Sequence, residues 1–256
     1  MKKTFSILLA ALLCCCTLIP AFAADSINAV VTISDGSAAP ALACADVTVT
    51  DKDADGALTI YDALYCAHEQ YYKDGAAGFR STATEYGASL SKLWGKENGY
   101  DYGYYVNDDS AWNLTDTVKD GDYVAAFLYT DRKNFSDAYS FFDVKTASVK
   151  EGETVTLTLS KLAYMPPEWN LAKGAVADAT ILIDGKETAY KTDENGKVTV
   201  TFDNAGEHVV SAKAADGIIV PPACKVNVTS LNFLQKIVRF FRNLFDMLKK
   251  LFSFGK

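Results

Sequence analysis

Short runs of β-branched and aromatic residues recur along the first half of the chain, each bounded by Gly, Asn or Asp. Runs of this kind predict β-strands. One stretch that begins at Ile60 carries an apolar helical face, and a shorter helix is predicted at Ser89–Trp94. A few strands crossed by one main helix predict an α+β domain over residues 24–143, in which a curved sheet packs on the helix. The predicted strands are Ile27–Ile33, Asp46–Thr50, Gly103–Asn107, Asp122–Tyr129 and Tyr139–Asp143.

The pattern changes at residues 144–229, where no helical period is visible. Regular turn signals separate strand-like runs and predict an all-β sandwich domain. The turns are Asp184-Gly185, Asn195-Gly196 and Ala205-Gly206, and the strands are Thr154–Leu159, Asp178–Ile183, Lys197–Phe202 and His208–Ala212.

Residues 230–256 have the clearest amphipathic pattern in the chain. At about 100° per residue, the apolar side chains fall on one arc and the charged side chains on the other. This pattern predicts a helix that lies in a membrane interface and is attracted to anionic lipid. The residues expected to bind the lipid surface are Leu234, Ile237, Val238, Arg239, Phe241, Arg242, Leu244, Phe245, Leu248, Lys249, Lys250 and Phe252.

Two alternatives for this helix stay open at the sequence level. It can pack against its own acidic body or against another copy, or it can act as a released membrane-active peptide. The helix is not expected to span a bilayer, because charges recur every few residues.

Residues 1–23 have the layout of a secretory signal peptide. Lys2 and Lys3 precede an apolar run, and Ala21 and Ala23 place the predicted cleavage before Ala24. A lipid-attachment site at Cys14 is disfavoured because Leu13 stands where a small residue is needed. We therefore expect a secreted protein that its C-terminal helix retains at the cell surface.

The charge distribution excludes one class of partner. The whole chain carries −7; Lys2 and Lys3 contribute +2 and residues 231–256 contribute +5, so residues 24–230 carry −14. A body this acidic repels nucleic acid, which we do not expect to be a partner.

An acidic loop precedes the main helix with the ligand spacing of a calcium site. Acidic residues stand at positions one, three, five and twelve, with Gly at six for the sharp turn. The loop resembles that of dockerin modules, which also have Asp at position twelve, but only one copy is present. The alternative is an Asp-rich turn that caps the helix without metal. The predicted ligands are Asp51, Asp53, Asp55, Ala57 through its carbonyl, Thr59 and Asp62.

Three cysteines follow the predicted signal peptide: Cys44, Cys66 and Cys224. An odd number excludes a dense disulfide framework. Cys66 lies off the apolar face of its helix, where it can meet Cys44 from the preceding strand. We therefore consider a Cys44–Cys66 disulfide, with small buried thiols as the alternative.

Several phrases in residues 27–143 resemble a family of bacterial exported domains related to the carboxy-terminal domain of transcobalamin. These are LTIYDALYCAH, KLWG, YGYYVND, DTVKDGDYVAAFLY and YSFFD, in that order. The resemblance implies a β-grasp-like fold and a ligand-binding module, for which cobalamin is only a remote candidate. The residues to test for ligand binding are Tyr104, Tyr105, Asn107 and Trp112; the alternative is that they serve as core and turn residues.

The next domain also has a resemblance, carried by VADATILIDGKETAYKTDENGKVTVTF and AGEHVVSA. These phrases are similar to immunoglobulin-like (Ig-like) modules of bacterial surface proteins, which act as spacers or adhesins. The expected fold is thus an α+β β-grasp-like domain, an all-β Ig-like sandwich and a C-terminal amphipathic helix.

Catalysis has little support in the sequence. His68-Glu69 begins like a zinc-protease signature, but Tyr72 stands where the second His is needed. Neither a phosphate-binding loop nor a nucleophile elbow is found. We expect a binding or adhesion-type surface protein and not an enzyme; the alternative is a secreted effector that acts on membranes through its cationic helix.

Overall fold

The computed structural model describes residues 26–85, 87–165 and 170–253. The predicted signal peptide, residues 1–23, lies outside the described residues. Two modules, at about residues 26–130 and 138–229, are followed by a helix.

The first module is a five-stranded mixed sheet covered on one side by a helix. The sheet order is β2-β1-β7-β5-β6; β1 and β7 pair in parallel at its centre, and the other pairs are antiparallel. A separate hairpin, β3-β4, follows the helix. The elements are β1 Ile27–Ser34, β2 Leu42–Val49, α1 Ile60–Tyr71, a 3₁₀ turn Gly75–Gly78, β3 Arg80–Thr84, β4 Gly87–Lys92, β5 Tyr102–Val106, β6 Asp109–Ala111 and β7 Tyr123–Leu128.

Helix α1 begins where the sequence places a capping signal. The backbone N–H of Asp62 donates to the Thr59 hydroxyl, and the Asp62 carboxylate accepts from the Thr59 backbone N–H at 2.9 Å, forming a capping box. Behind the cap, Ile60, Leu64 and Ala67 are fully buried against the sheet. Local capping and the apolar stripe thus fix both the start of the helix and the face it buries.

The helix predicted at Ser89–Trp94 is wrong, because this segment belongs to the β3-β4 hairpin. Leu90 and Leu93 are both buried, and their spacing of three is compatible with a helix. Here the hairpin places Leu90 inside, and Trp94 adopts a left-handed backbone (φ 49°) that turns the chain.

The second module consists of two facing sheets. One has the order β11-β10-β14 with β8 also paired to β10, and the other has the order β13-β12-β15-β16-β9. Both sheets contribute side chains to one core, among them Leu157, Ile181 and Val226, which gives a β-sandwich. The strands are β8 Ser140–Phe142, β9 Thr146–Lys150, β10 Thr154–Met165, β11 Asn170–Ala175, β12 Thr180–Ile183, β13 Lys186–Lys191, β14 Lys197–Thr201, β15 Gly206–Lys213 and β16 Cys224–Thr229.

The boundary between the modules lies earlier than the predicted residue 143. Strand β8 pairs with β10 of the sandwich, and Phe142 is fully buried in the sandwich core. Its neighbour Phe141 points into a different cluster between the modules. Because side chains alternate along β8, Phe142 lies in the sandwich core and Phe141 lies in the cluster between the modules.

The modules meet through an aromatic group that we call the junction cluster. It covers the face of the first sheet opposite α1. The Tyr105 and Tyr139 rings stack at 3.8 Å with an interplanar angle of 8°. Buried members of the cluster are Cys44, Tyr105, Tyr123, Ala125, Phe127, Tyr139, Phe141, Val220 and Ala223.

A second helix, α2 (Phe233–Ser253), follows the sandwich. Asn232 caps its start: the Gln235 N–H donates to the Asn232 side chain at 2.9 Å, and the Asn232 N–H donates to the Gln235 side chain at 3.0 Å. No helix among the described residues is long and apolar enough to cross a bilayer.

Candidate functional site

Three carboxylates converge in the loop before α1. One oxygen from each of Asp51, Asp53 and Asp55 lies within 4.8 Å of the others, and all three residues are exposed. Asp51 also accepts the N–H of Gly56 at 2.9 Å and of Ala54 at 2.7 Å, which folds the loop around its first carboxylate. The Gly56 bond is the main cause that lowers the pKa of Asp51, whereas desolvation and the neighbouring carboxylates raise the pKa of Asp53.

The structure gives Asp62 and Thr59 a different role from the predicted ligands. Asp62 is fully buried, and its carboxylate accepts the Lys52 N–H at 2.7 Å as well as the N–H and hydroxyl of Thr59. Thr59 is the N-cap of α1. These bonds occupy the groups expected to hold a cation, so the convergent set is smaller than the sequence spacing predicts. Ala57 donates its N–H to Asp55 at 2.8 Å and stays part of the loop.

The Cys44–Cys66 disulfide is wrong: Cys44, Cys66 and Cys224 are free and buried. Cys44 belongs to the junction cluster, and Cys66 belongs to the core under α1. The first sheet therefore separates the two thiols. The Thr32 hydroxyl donates to Cys44 Sγ at 3.7 Å, and Cys66 Sγ donates to the Thr50 carbonyl at 3.7 Å.

A cleft of about 280 Å³ lies beside β5 and β6 and brings together three of the four predicted ligand residues, Tyr104, Tyr105 and Trp112. Trp112 is 88% exposed. Leu171 of the second module closes the other side. The cleft is lined by Tyr102, Gly103, Tyr104, Tyr105, Ser110, Ala111, Trp112, Tyr129 and Leu171.

Asn107, the fourth predicted ligand residue, is a turn residue instead. It has a left-handed backbone (φ 53°), as does Asp108. Its side chain accepts the Tyr123 N–H at 2.9 Å and donates to Asp122 at 2.8 Å. These contacts fix the β5-β6 turn, and Asn107 does not line the cleft.

Sequence reasoning missed an ion pair that joins the modules next to this turn. Lys145 Nζ lies 2.8 Å from Asp108 Oδ1, and the Tyr139 hydroxyl donates to the same oxygen at 2.7 Å. The ammonium also lies 4.5 Å from the centre of the Tyr123 ring. Because the partners are 37 residues apart on different modules, no local pattern signals the contact.

The amphipathic helix α2 contacts the sandwich through basic residues near its start. Arg239 Nη2 lies 2.7 Å from Asp203, and Lys236 Nζ lies 3.6 Å from Glu151. The Leu231 N–H also donates to Glu151 at 2.9 Å; this bond and, less strongly, Lys236 lower the pKa of the carboxyl. Arg239, predicted to meet lipid, thus binds the body.

The apolar side of α2 is largely exposed among the described residues, although Leu234 and Val238 line a pocket with the body at Lys150–Glu153. Eight of its large apolar side chains are exposed, and Leu244 is half-buried. The side chains of Lys250 and Phe252 lie outside the described set. The exposed ones are Phe233, Leu234, Ile237, Val238, Phe241, Phe245, Met247 and Leu248.

The two histidines have opposite environments, and neither forms a catalytic group with other described residues. His68 is fully buried between the Leu64 carbonyl (2.6 Å) and the Trp94 N–H (2.9 Å), and burial lowers its pKa to about 4. His208 contacts the Asp184 carboxylate at 2.8 Å, which raises its pKa.

No family model matches the chain, and no curated protein matches it. The relation to the transcobalamin carboxy-terminal domain therefore rests on the quoted phrases alone.

Several solved structures align with parts of the chain. The N-terminal four Ig domains of Dscam1 isoform 4.44 align at 9% identity with a TM-score of 0.25, over 43% of this chain and 23% of that one. The Bacteroides ovatus mixed-linkage glucan utilization locus SGBP-B, in complex with a mixed-linkage heptasaccharide, aligns at 12% identity with a TM-score of 0.23, over 59% and 35%. The chain spans less than half the length of each, and at these TM-scores the likeness assigns no function.

Proposed function

We propose that this chain is an exported binding protein held at a membrane interface by α2. Its β-grasp-like first module presents the aromatic cleft, and an Ig-like sandwich follows that module and precedes α2 in the chain. The sheet order of the first module, with parallel central strands and a helix packed across one face, supports the β-grasp-like assignment. The layout of residues 1–23 supports export.

The observation that carries the proposal is the way in which α2 faces the body. Its basic residues Lys236 and Arg239 pair with acids of the sandwich, and Leu234 and Val238 line a pocket beside them. Further along the helix, apolar side chains such as Phe245 and Leu248 are exposed. A helix docked as part of the core would bury its apolar face instead. A body contact through the polar side leaves the apolar face available to lipid.

The available hydrophobic area is large enough for reversible membrane binding. Full burial of a Leu, Val or Phe side chain contributes about 1.5–3 kcal/mol. Eight side chains at about 1 kcal/mol each, for shallow burial, give roughly 8 kcal/mol before ordering is subtracted. Binding would be weaker than the dissociation constant of about 1 μM that 8 kcal/mol represents, because the ordering of side chains and the lost freedom of the chain are subtracted from this value.

The basic residues further along α2 add an electrostatic contribution. Arg242 and Lys249 are exposed. Each Lys or Arg near an anionic surface contributes about 1 kcal/mol, and salt screens this attraction. We therefore expect stronger binding to anionic than to neutral vesicles.

Cosedimentation of the full chain with anionic and neutral vesicles tests the anchor. Phe245→Asp with Leu248→Asp is expected to reduce pelleting at least tenfold. Phe135→Asp with Tyr100→Asp is the matched control, because it places the same two charges on exposed aromatic residues of the body. Equal pelleting of the double variant and the control contradicts the proposal.

The same vesicles distinguish the alternative function. A surface anchor binds without permeabilising the bilayer, whereas a membrane-active effector releases an entrapped dye. Dye release at concentrations that merely saturate binding would favour the effector.

A second proposal concerns calcium. Three convergent carboxylates form a hard oxygen donor set of the type that Ca²⁺ prefers. Desolvation is the first cause of the raised pKa of Asp53, and the charges of its acidic neighbours are the second; a bound cation would offset the repulsion among these carboxylates. In this proposal Asp51, Asp53 and Asp55 bind the ion, and Asp62 holds the loop to α1.

A further inference from the structure

The cleft beside β5 and β6 combines an exposed indole with rigid aromatic walls. Tyr105 stacks on Tyr139, and Tyr129 meets the edge of Phe127 at 5.0 Å. Because these partners belong to the buried junction cluster, the walls of the cleft are fixed before any ligand arrives.

Trp112 is presented by an ordered loop. Its own N–H and that of Asn113 both donate to the Asp116 carboxylate, at 3.0 and 3.2 Å. Among the large apolar side chains of the described residues, that of Trp112 has the highest exposed fraction, 88%. A single exposed apolar side chain needs no explanation, but an indole on an ordered backbone at the rim of a cleft offers a ligand an aromatic face.

The polar groups of the cleft are neutral. Ser110 and Tyr129 are hydroxyl-bearing residues of the lining. Tyr104 packs against the core under α1 with its hydroxyl bonded to Ser89, and Tyr105 is stacked in the junction cluster. No Lys, Arg, Asp or Glu is among the described residues that line the cleft.

These features restrict the ligand. An anion is disfavoured by a body of charge −14, and none of the described lining residues is a cation. The volume of about 280 Å³ is below the roughly 300–1,000 Å³ of pockets that enclose a drug-sized molecule. The cleft thus suits one small ring of a larger, neutral and hydroxylated ligand that continues into solvent.

We propose that the cleft binds a sugar ring of a neutral polysaccharide, with the ring stacked on Trp112 and its edge hydroxyls bonded to the Ser110 hydroxyl. A pyranose has this division: its C–H face is apolar and complements the negative face of an aromatic ring, while its rim is polar. This inference rests on the proposed binding function and names the ligand class of the same site.

Native affinity electrophoresis of the full chain tests the inference. The gels contain a soluble neutral glucan, xylan or mannan, through which the acidic protein migrates. At least one polysaccharide is expected to retard the protein, and Trp112→Ala is expected to weaken the apparent affinity at least tenfold. Tyr100→Ala is the matched control: Tyr100 is 61% exposed but does not line the cleft.

Two outcomes would overturn the inference. One is the absence of retardation by all three polysaccharides; the other is retardation of Trp112→Ala equal to that of the control. Vesicle cosedimentation of the same variants separates this test from that of the anchor. Normal pelleting of Trp112→Ala with lost retardation supports both, whereas retardation without vesicle binding by the unmodified chain rejects the anchor alone.

Discussion

His68 should make the stability of the first module depend on pH. The residue has no exposed surface, and its neutral ring bridges the Leu64 carbonyl and the Trp94 N–H. Nδ1 therefore carries the proton and donates, while Nε2 accepts. Protonation of Nε2 would set a second donor against the Trp94 N–H and bury a charge.

The sign and size follow from linkage. Folding lowers the pKa of His68 from 6.5 to about 4. The unfolded chain takes up the proton first, so the stabilisation is present above pH 6.5 and is lost as pH falls toward 4. The full loss is about 3 kcal/mol, of which about 2 kcal/mol is lost between pH 8 and pH 5.

Urea unfolding at pH 8 and pH 5, followed by tryptophan fluorescence, measures this loss. The Trp94 ring lies 5.1 Å from the His68 ring and reports on the same core. His68→Gln cannot titrate, so its loss between the two pH values should be about 2 kcal/mol smaller than that of the unmodified chain. The carboxylates titrate equally in the variant and in the unmodified chain, so their contributions cancel when the two pH dependences are compared.

His208 supplies a control of opposite sign. Its raised pKa means that its contribution is present below pH 6.5 and is lost as pH rises through the folded pKa. His208→Gln should therefore increase the net loss of stability in acid. An equal pH dependence of His68→Gln and the unmodified chain would refute the reasoning.

Two further predictions concern the junction and the loop. Asp108→Asn keeps the left-handed turn but removes the charge that pairs with Lys145. It should lower the free energy of unfolding, measured with urea, by about 1–3 kcal/mol. The control Asp178→Asn removes the charge of an exposed ion pair and should lower that free energy by less than about 1 kcal/mol. Equal losses of unfolding free energy in the two variants would show that the Asp108–Lys145 pair stabilises the chain no more than an exposed ion pair does. Calcium at 100 times its dissociation constant should stabilise the chain by about 2.7 kcal/mol, which is measured as a rise in Tm. Asp53→Ala should abolish this rise, whereas the control Glu194→Ala, at an exposed turn, should retain it. No rise at millimolar calcium would contradict the site.

The sequence located the elements whose signals are local. The loop at Asp51–Asp55, the Thr59 cap and α1 are read from residues within one or two turns of each other, and the structure contains the predicted helix there. The repeated turn signals of the second module likewise correspond to strands such as β12, β14 and β15.

The errors arose where a local pattern has two solutions. Leu90 and Leu93 suit a helix by spacing, yet the segment forms a hairpin with β3. Asp62 suits a metal ligand by position, yet its buried carboxylate bonds to the backbone of Lys52 and Thr59 and completes the capping box of α1. In both cases the role of the residue depends on its burial or on a partner from another part of the chain. The spacing of residues in the sequence gives no information about either.

The aromatic cleft shows the same division at the candidate site. Trp112 and the tyrosines of β5 stand close together in the sequence, and three of the four predicted ligand residues line one cleft. Leu171, which closes it, comes from the second module. Asn107 could be assigned to the turn only from its bonds to Asp122 and Tyr123.

The sequence by itself determined the amphipathic helix, the acidic loop with its cap, and the separation of an acidic body from a basic end, because periodicity, capping and charge are properties of neighbouring residues. Only the tertiary structure decided which side of α2 faces the body, that the first sheet separates Cys44 from Cys66, and that Asp108 meets Lys145. These facts depend on the register and packing of strands distant in the chain. The register and packing of these strands are set by the burial of both faces of the first sheet. No single segment of the sequence specifies how both faces are covered.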